Sequence, residues 1–121
     1  MVKRFAVGFF VDRKGNIPVR DYLFDGTNEK DISVLINVIQ RLAFIGQAIL
    51  DTNMADHIEG PIYELRKDRH RILYAQDGER FVLFSAFIKK TQKTPPEEIR
   101  RAQRYYQEYL ETGKFYEIQF P

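Results

Sequence analysis

This sequence predicts an α+β fold with elements in the order β-α-α-β-β-β-α, its helices forming a single layer on a small antiparallel or mixed sheet. Three observations carry that prediction. Residues 31–45 place apolar side chains at helical spacing, residues 62–88 divide into three short strand-like runs, and residues 94–97 open a second long helical pattern. The 121 residues suffice for one domain and one core, spanning 1–121, and not for two.

The elements follow in chain order. Residues 3–11 alternate, with Phe5, Val7, Phe9 and Val11 on one face, as in a first strand. Asp12-Arg13-Lys14-Gly15-Asn16 reads as a turn. Asn16 is a candidate cap for a short helix with Pro18 in its first turn and Val19, Tyr22 and Leu23 facing inward. Asp25-Gly26-Thr27-Asn28 breaks that helix. In 31–45, Ile32, Leu35, Ile36, Ile39, Leu42 and Ala43 make one stripe, and Gly46 is a C-terminal stop. Val34, Val38 and Ile45 lie off the stripe, and core packing is the favoured role for them.

A second strand is predicted at 62–67, where Tyr63 and Leu65 point one way and Glu64 and Arg66 the other. A third covers 70–76 and a fourth 80–88, joined by the hairpin signal Gln76-Asp77-Gly78-Glu79. The run FVLFSAFI at 81–88 is apolar on both faces, which places it centrally in the sheet. Thr94-Pro95-Pro96-Glu97 has the form of a capping box. The helix behind it buries Ile99, Ala102, Tyr106 and Tyr109 and stops at Thr112-Gly113. The tail KFYEIQFP offers one further short strand.

Composition narrows the function classes. The chain is 44% hydrophobic with 7 Tyr and 10 Phe, ample for a packed core. It has no Cys, which excludes disulfide and thiol chemistry and fits a reducing cytoplasm. The apolar run in MVKRFAVGFFVDRKG is interrupted at Gly8 and ended by Asp12, too short for a signal peptide, and no run is expected to reach the length of a membrane span.

The net charge of +2 is mild, but its distribution is not even. Arg66, Lys67, Arg69, Arg71 and Arg80 fall within 64–80, and Lys89, Lys90, Lys93, Arg100, Arg101 and Arg104 within 89–104. Arg66 is a candidate phosphate clamp, since a guanidinium grips a phosphate with two parallel donors, and equally a candidate ion-pair partner of Glu64 or Asp68. Arg71, if it shares a face with Leu73, is partly buried and paired, a structural role with a secondary chance of substrate contact. Arg69 sits in the turn between the second and third strands, where most arginines are simply solvated and reach to an RNA backbone is the alternative. Lys89, Lys90 and Lys93 lie where a central strand meets a helix N-terminus, a rigid setting that favours an anion. His57 and His70 lack metal spacing, with each other or with any Cys. His57 is placed in a loop as a weak acid–base candidate. Glu97 and Glu98 are accounted for by helix capping.

With these residues read, the chain resembles the HigB branch of the RelE-like type II toxins, the phage Gp49-like proteins. The resemblance rests on ELR at 64–66, RILY at 71–74 and FIKKTQKTP at 87–95 with the following EEI and Ala102. IPVRDYL at 17–23, IG at 45–46 and EGPIY at 59–63 agree more loosely. The lysine-rich segment after an apolar strand is its specific part.

The resemblance implies the same element order and an mRNA endonuclease that enters the ribosomal A site. It also implies a HigA-like helix-turn-helix antitoxin as partner, beside mRNA and the ribosome, and no metal, cofactor or membrane. By the resemblance Arg66 and Lys90, or its neighbour Lys89, match the catalytic positions, and Arg71 matches the basic residue that opens the third strand, often more structural; Arg69, Arg71 and Lys93 are the expected RNA-binding residues. The 2′-hydroxyl would attack the adjacent phosphate, with the cations stabilising the developing charge. The general base stays open among a lysine, His57 and the tyrosines Tyr105, Tyr106, Tyr109 and Tyr116. Two other classes compete with this reading. One is a non-catalytic RNA- or ribosome-binding module, and the other a protein whose basic face docks an acidic partner.

Overall fold

The computed structural model describes residues 4–120. The first strand, β1, is Ala6–Phe10, followed by α1 (Pro18–Asp25), α2 (Glu29–Ile45) and a 3₁₀ helix (Gly46–Asp51). Then come β2 (Ala55–Glu59), β3 (Ile62–Lys67), β4 (His70–Asp77), β5 (Arg80–Ile88), α3 (Pro96–Thr112) and β6 (Phe115–Glu117). The strands form one mixed sheet in the order β2-β3-β4-β5-β1-β6. β1 runs parallel to β5, and the other neighbours are antiparallel. β5 lies inside the sheet between β4 and β1, as its two apolar faces require. Lys3 and Pro121, the outer ends of the first strand and of the tail as read from sequence, lie outside the described residues.

The helices do not form a single layer. α1 and α2 cover one face, where Val19, Leu23, Leu35, Val38, Ile39 and Leu42 pack with Val7, Phe9, Leu65, Ile72, Tyr74, Phe81 and Leu83. α3 covers the other, where Ala102 and Tyr109, with Tyr105 and Tyr106, pack on Phe10, Ile62, Leu73, Val82, Phe84 and Phe87. The reason lies in β5 itself: a strand apolar on both faces needs cover on both, and one helical layer shields only one.

Other local expectations shift as well. β2 was not anticipated, because ADHIE buries only Ala55 and shows no alternation of apolar residues. β6 realises the short strand in the tail, over 115–117. Asn16 does not cap α1. Its main-chain N–H and side chain instead donate to the Asp12 carboxylate, which also accepts from the Lys14 N–H and so closes the turn. α2 starts two residues earlier than predicted, at an Asn28 cap whose Oδ1 accepts from the Asp31 N–H at 2.9 Å. Asn28→Ala is expected to destabilise the fold by about 1 kcal/mol, read as a lowered denaturant midpoint with an unchanged m-value.

The stretch Glu29–Asp51, 23 residues long, has the length and composition to cross a membrane, contrary to the expectation from sequence. Its stripe of Leu35, Val38, Ile39, Leu42 and Ala43 is spent on the sheet, as in a core helix.

At Gly8 in β1 the backbone of β6 comes so close that a Cβ would lie 2.6 Å from the Tyr116 carbonyl oxygen and 2.5 Å from Phe115 Cζ. A side chain there would push the edge strand away.

Candidate functional site

The site lies where the β3–β4 turn meets the end of β5. Cross-strand register places Arg66 opposite Arg71, and Arg71 opposite Phe87. Arg66 and Arg71 therefore share the face covered by α3, together with Glu64 and Leu73. Arg71 shares a face with Leu73, as its structural reading required, and its side chain is 14% exposed. Its Nη1 donates to the carbonyls of Asp68 and His70 at 2.7 and 2.8 Å, which steadies a turn whose Asp68 has φ 53°.

Arg71 also lines an open pocket of about 440 Å³ with Arg69, Lys89, Lys90, Thr91, Gln92 and Asp68. Four cationic side chains thus face a single carboxylate around one concavity, which favours an anion. The Lys89 N–H donates to the Arg69 carbonyl at 2.7 Å and fastens the lysine segment to the β3–β4 turn. Of the basic residues singled out from sequence, Arg69, Arg71, Lys89 and Lys90 come together here. Lys93 is exposed and does not line the pocket; its carbonyl accepts from the Thr91 hydroxyl.

Arg66 lies beside this pocket without lining it. Its Nε donates to Glu64 Oε2 at 3.0 Å and its Nη2 to Asp56 Oδ2 at 2.9 Å. The ion pair with Glu64 considered from sequence is present. Its second partner is Asp56 on β2 rather than Asp68, and it was missed because β2 was missed. Glu64 is fully buried and also accepts from the Thr94 hydroxyl at 2.7 Å, with Arg71 Nε at 3.9 Å. That contact displaces the predicted capping box: Thr94 faces the carboxylate, and α3 begins at Pro96, with Pro95 at its N-cap and no side-chain cap. The signal was present in sequence only as a threonine one residue too early.

The general-base candidates fall elsewhere. His57 is in β2, not in a loop, and it is exposed. Its Nε2 lies 2.8 Å from the Gly60 carbonyl. A carbonyl only accepts, so that nitrogen carries the proton. The Tyr109 hydroxyl donates to Asp77 at 2.6 Å and accepts from Arg80 at the β4–β5 hairpin. That hairpin is about 20 Å along β4 from Arg71, six residues at the strand rise. Burial, then the bond to Asp77, pushes its ionisation upward and keeps it a donor. Tyr105 stacks on Phe10, and Tyr106 meets Phe84 edge-on. Tyr116 is exposed on β6 at the far sheet edge.

His70, on the opposite face from Arg71, was not assigned a role from sequence. It bridges the Tyr22 hydroxyl at 2.8 Å and Asp31 Oδ2 at 3.2 Å, tying α1 and the start of α2 to β4. Burial, then the charge of Asp31, raises the ionisation of Tyr22 and keeps its hydroxyl protonated beside His70.

No curated protein matches the chain. The family model for the phage-derived Gp49-like proteins (DUF891) matches residues 24–107, which covers α2, β2 to β5, most of α3 and every residue of the basic pocket. With more than half of its length matched, the chain belongs to the Gp49-like family, within the RelE/HigB-like toxin superfamily.

Proposed function

We propose that this chain is the HigB-type toxin of a type II toxin–antitoxin pair, a single-domain, cytoplasmic, ribosome-dependent mRNA endonuclease that needs no metal. The observation that carries the reading is the pocket of Arg69, Arg71, Lys89 and Lys90 beside the Arg66–Glu64 pair. In the proposed reaction the ribose 2′-hydroxyl attacks the adjacent phosphorus. The bond to the 5′-oxygen of the next nucleotide breaks, leaving a 2′,3′-cyclic phosphate and a 5′-hydroxyl. Charge builds on the phosphoryl oxygens, and preplaced cations stabilise it without reorganising. Arg71 and Lys90 reach the pocket directly, and Arg66, from beside it, would offer the guanidinium edge now on Asp56 once a phosphate displaces that carboxylate. With His57 in β2 and Tyr109 at the far hairpin, the proposed division is that Lys89, as a free amine, takes the 2′-hydroxyl proton, while Lys90, as an ammonium, stabilises the phosphoryl charge and gives a proton to the leaving 5′-oxygen. A HigA-like antitoxin, mRNA and the ribosome are the proposed partners.

A binding module without catalysis has one observation in its favour, the two carboxylates already on Arg66. Induced expression in a bacterial host, with growth followed and mRNA 5′ ends mapped, separates the two. Growth arrest with new ends inside translated frames, lost in the Arg66→Ala/Lys90→Ala variant, is the result expected of the nuclease. Soluble protein with normal growth and no new ends would leave the binding module.

Asp56 is expected to compete with RNA for Arg66. The pair is exposed on the Asp56 side, whose side chain is 58% accessible, so it holds weakly. Asp56→Asn is expected to tighten binding of a short RNA about 2- to 5-fold, an effect of at most about 1 kcal/mol. The gain should shrink at high salt, and fluorescence anisotropy at two ionic strengths measures it. Weaker binding by the variant would count against the competition.

A further inference from the structure

The reaction proposed above gives no part to the most deeply buried charge of the site. Glu64 is fully buried, yet a carboxylate is among the costliest groups to take out of water. Sheet packing does not ask for it. Its cross-strand neighbour is Leu73, and the α3 face around it is lined by Ile62, Leu73 and Phe87, so an aliphatic side chain would suit the position.

What the carboxylate does instead is join three segments. Oε2 accepts from Arg66 Nε on β3 at 3.0 Å and lies 3.9 Å from Arg71 Nε on β4. Oε1 accepts from the Thr94 hydroxyl at 2.7 Å, at the end of the segment that carries Lys89, Lys90 and Lys93. That segment is fastened at its other end by the Lys89 N–H on the Arg69 carbonyl. Each oxygen thus has its own task, Oε2 for the Arg66 guanidinium and Oε1 for the lysine segment.

We propose that Glu64 is the positioning residue of this site, setting the direction of Arg66 and, through Thr94, holding the 89–94 segment so that Lys89 and Lys90 face the same anion as Arg71, which the Asp68 and His70 carbonyls hold. Arg66, Arg69, Arg71, Lys89 and Lys90 outnumber the carboxylates of Glu64, Asp56 and Asp68, so the site stays net positive while Glu64 fixes its geometry. Arg66 keeps its Nε edge on Glu64 and has its Nη2 edge on the solvent side, where a phosphate can replace Asp56. The catalytic consequence of this inference rests on the nuclease reading; the structural consequence does not.

Thr94→Val cuts the tie to the segment and spares both arginine contacts, whereas Thr94→Ser keeps the hydroxyl. Glu64→Gln keeps the shape and removes the charge. Two readouts are taken on the full chain: amide hydrogen exchange at Lys89, and kcat and KM for mRNA cleavage on programmed ribosomes. Thr94→Val is expected to speed Lys89 exchange and lower kcat, each roughly tenfold, as befits a hydrogen bond to a charged group, with KM little changed. Thr94→Ser should stay close to the parent protein in both. Glu64→Gln should lower kcat by about 10- to 100-fold on the same basis.

Unchanged Lys89 exchange in Thr94→Val, or equal effects of the valine and serine variants, would overturn the inference. If the parent protein cuts no RNA, the nuclease reading fails, while the exchange comparison still decides whether Glu64 and Thr94 position the segment. If Glu64→Gln does not fold, the Thr94 pair carries the test.

Discussion

Replacing Arg66 and Lys90 by alanine is expected to abolish RNA cleavage at measurable protein concentrations while leaving the chain folded. Removing one preplaced charge donor from a site of this kind costs about 10²–10³ in rate. Arg66→Ala and Lys90→Ala should each fall in that range. The double variant should lose no more than the product of the two, and less if both cations serve the same phosphoryl oxygen. Arg66→Lys should recover little, because a single ammonium cannot keep one edge on Glu64 and offer a second, directed edge to a phosphate.

The stability cost must be measured beside the rate. Arg66→Ala removes one of the partners of a buried carboxylate, but Thr94 still donates to it and Arg71 stays near. An unfolding penalty of about 1–3 kcal/mol follows from a lost charged hydrogen bond. Lys90 is exposed, and Lys90→Ala should leave stability near that of the parent. A rate loss in Lys90→Ala with an unchanged unfolding midpoint therefore assigns the effect to chemistry or binding. Cleavage at the parent rate by the double variant would remove the nuclease mechanism proposed for this pocket.

Gly46→Ala is expected to be the most destabilising single-methyl change in the helical layer, by about 2–5 kcal/mol from backbone strain and overpacking together. Two independent facts meet at this position. Gly46 has φ 60° and ψ −145°, a region almost closed to residues with a Cβ, and it adopts it to turn the chain from α2 into the 3₁₀ helix while its N–H closes on the Leu42 carbonyl. An added Cβ would also fall 2.5 and 2.8 Å from the Phe5 ring, which packs edge-on against Phe81 in the core. Relieving the clash means moving Phe5, and relieving the strain means unwinding the end of α2. Urea unfolding of Gly46→Ala beside Gly78→Ala separates the terms. Gly78 has φ 62° and nothing within 4 Å of an added Cβ, so it carries backbone strain alone. Equal losses at the two positions would show that the Phe5 contact contributes nothing.

Much of this protein was legible before folding was considered. The alternation in 5–11, the stripe in 31–45 and the runs at 62–67, 70–76 and 80–88 each report the apolar side of one element, and an element's own periodicity records that side directly. The same holds for Arg66 lying opposite Leu65, for Arg71 sharing a face with Leu73, and for the stops at Gly46 and Gly113. The basic residues of the candidate site were nameable one by one, since charge is a property of each residue alone.

Tertiary structure decided what those faces meet. The parallel contact of β1 with β5, the polar edge strand β2 and the cover of both sheet faces leave no periodic mark, because they depend on segments distant in the chain. The site shows the same division. Thr94 turns to Glu64, thirty residues away, and not to its own helix, because a buried carboxylate must find donors before an exposed helix end needs a cap. Asp56 reaches Arg66 because β2 lies beside β3. Local pattern thus determined which side chains were offered to each face, and the cost of burying polar groups without partners determined how they were joined.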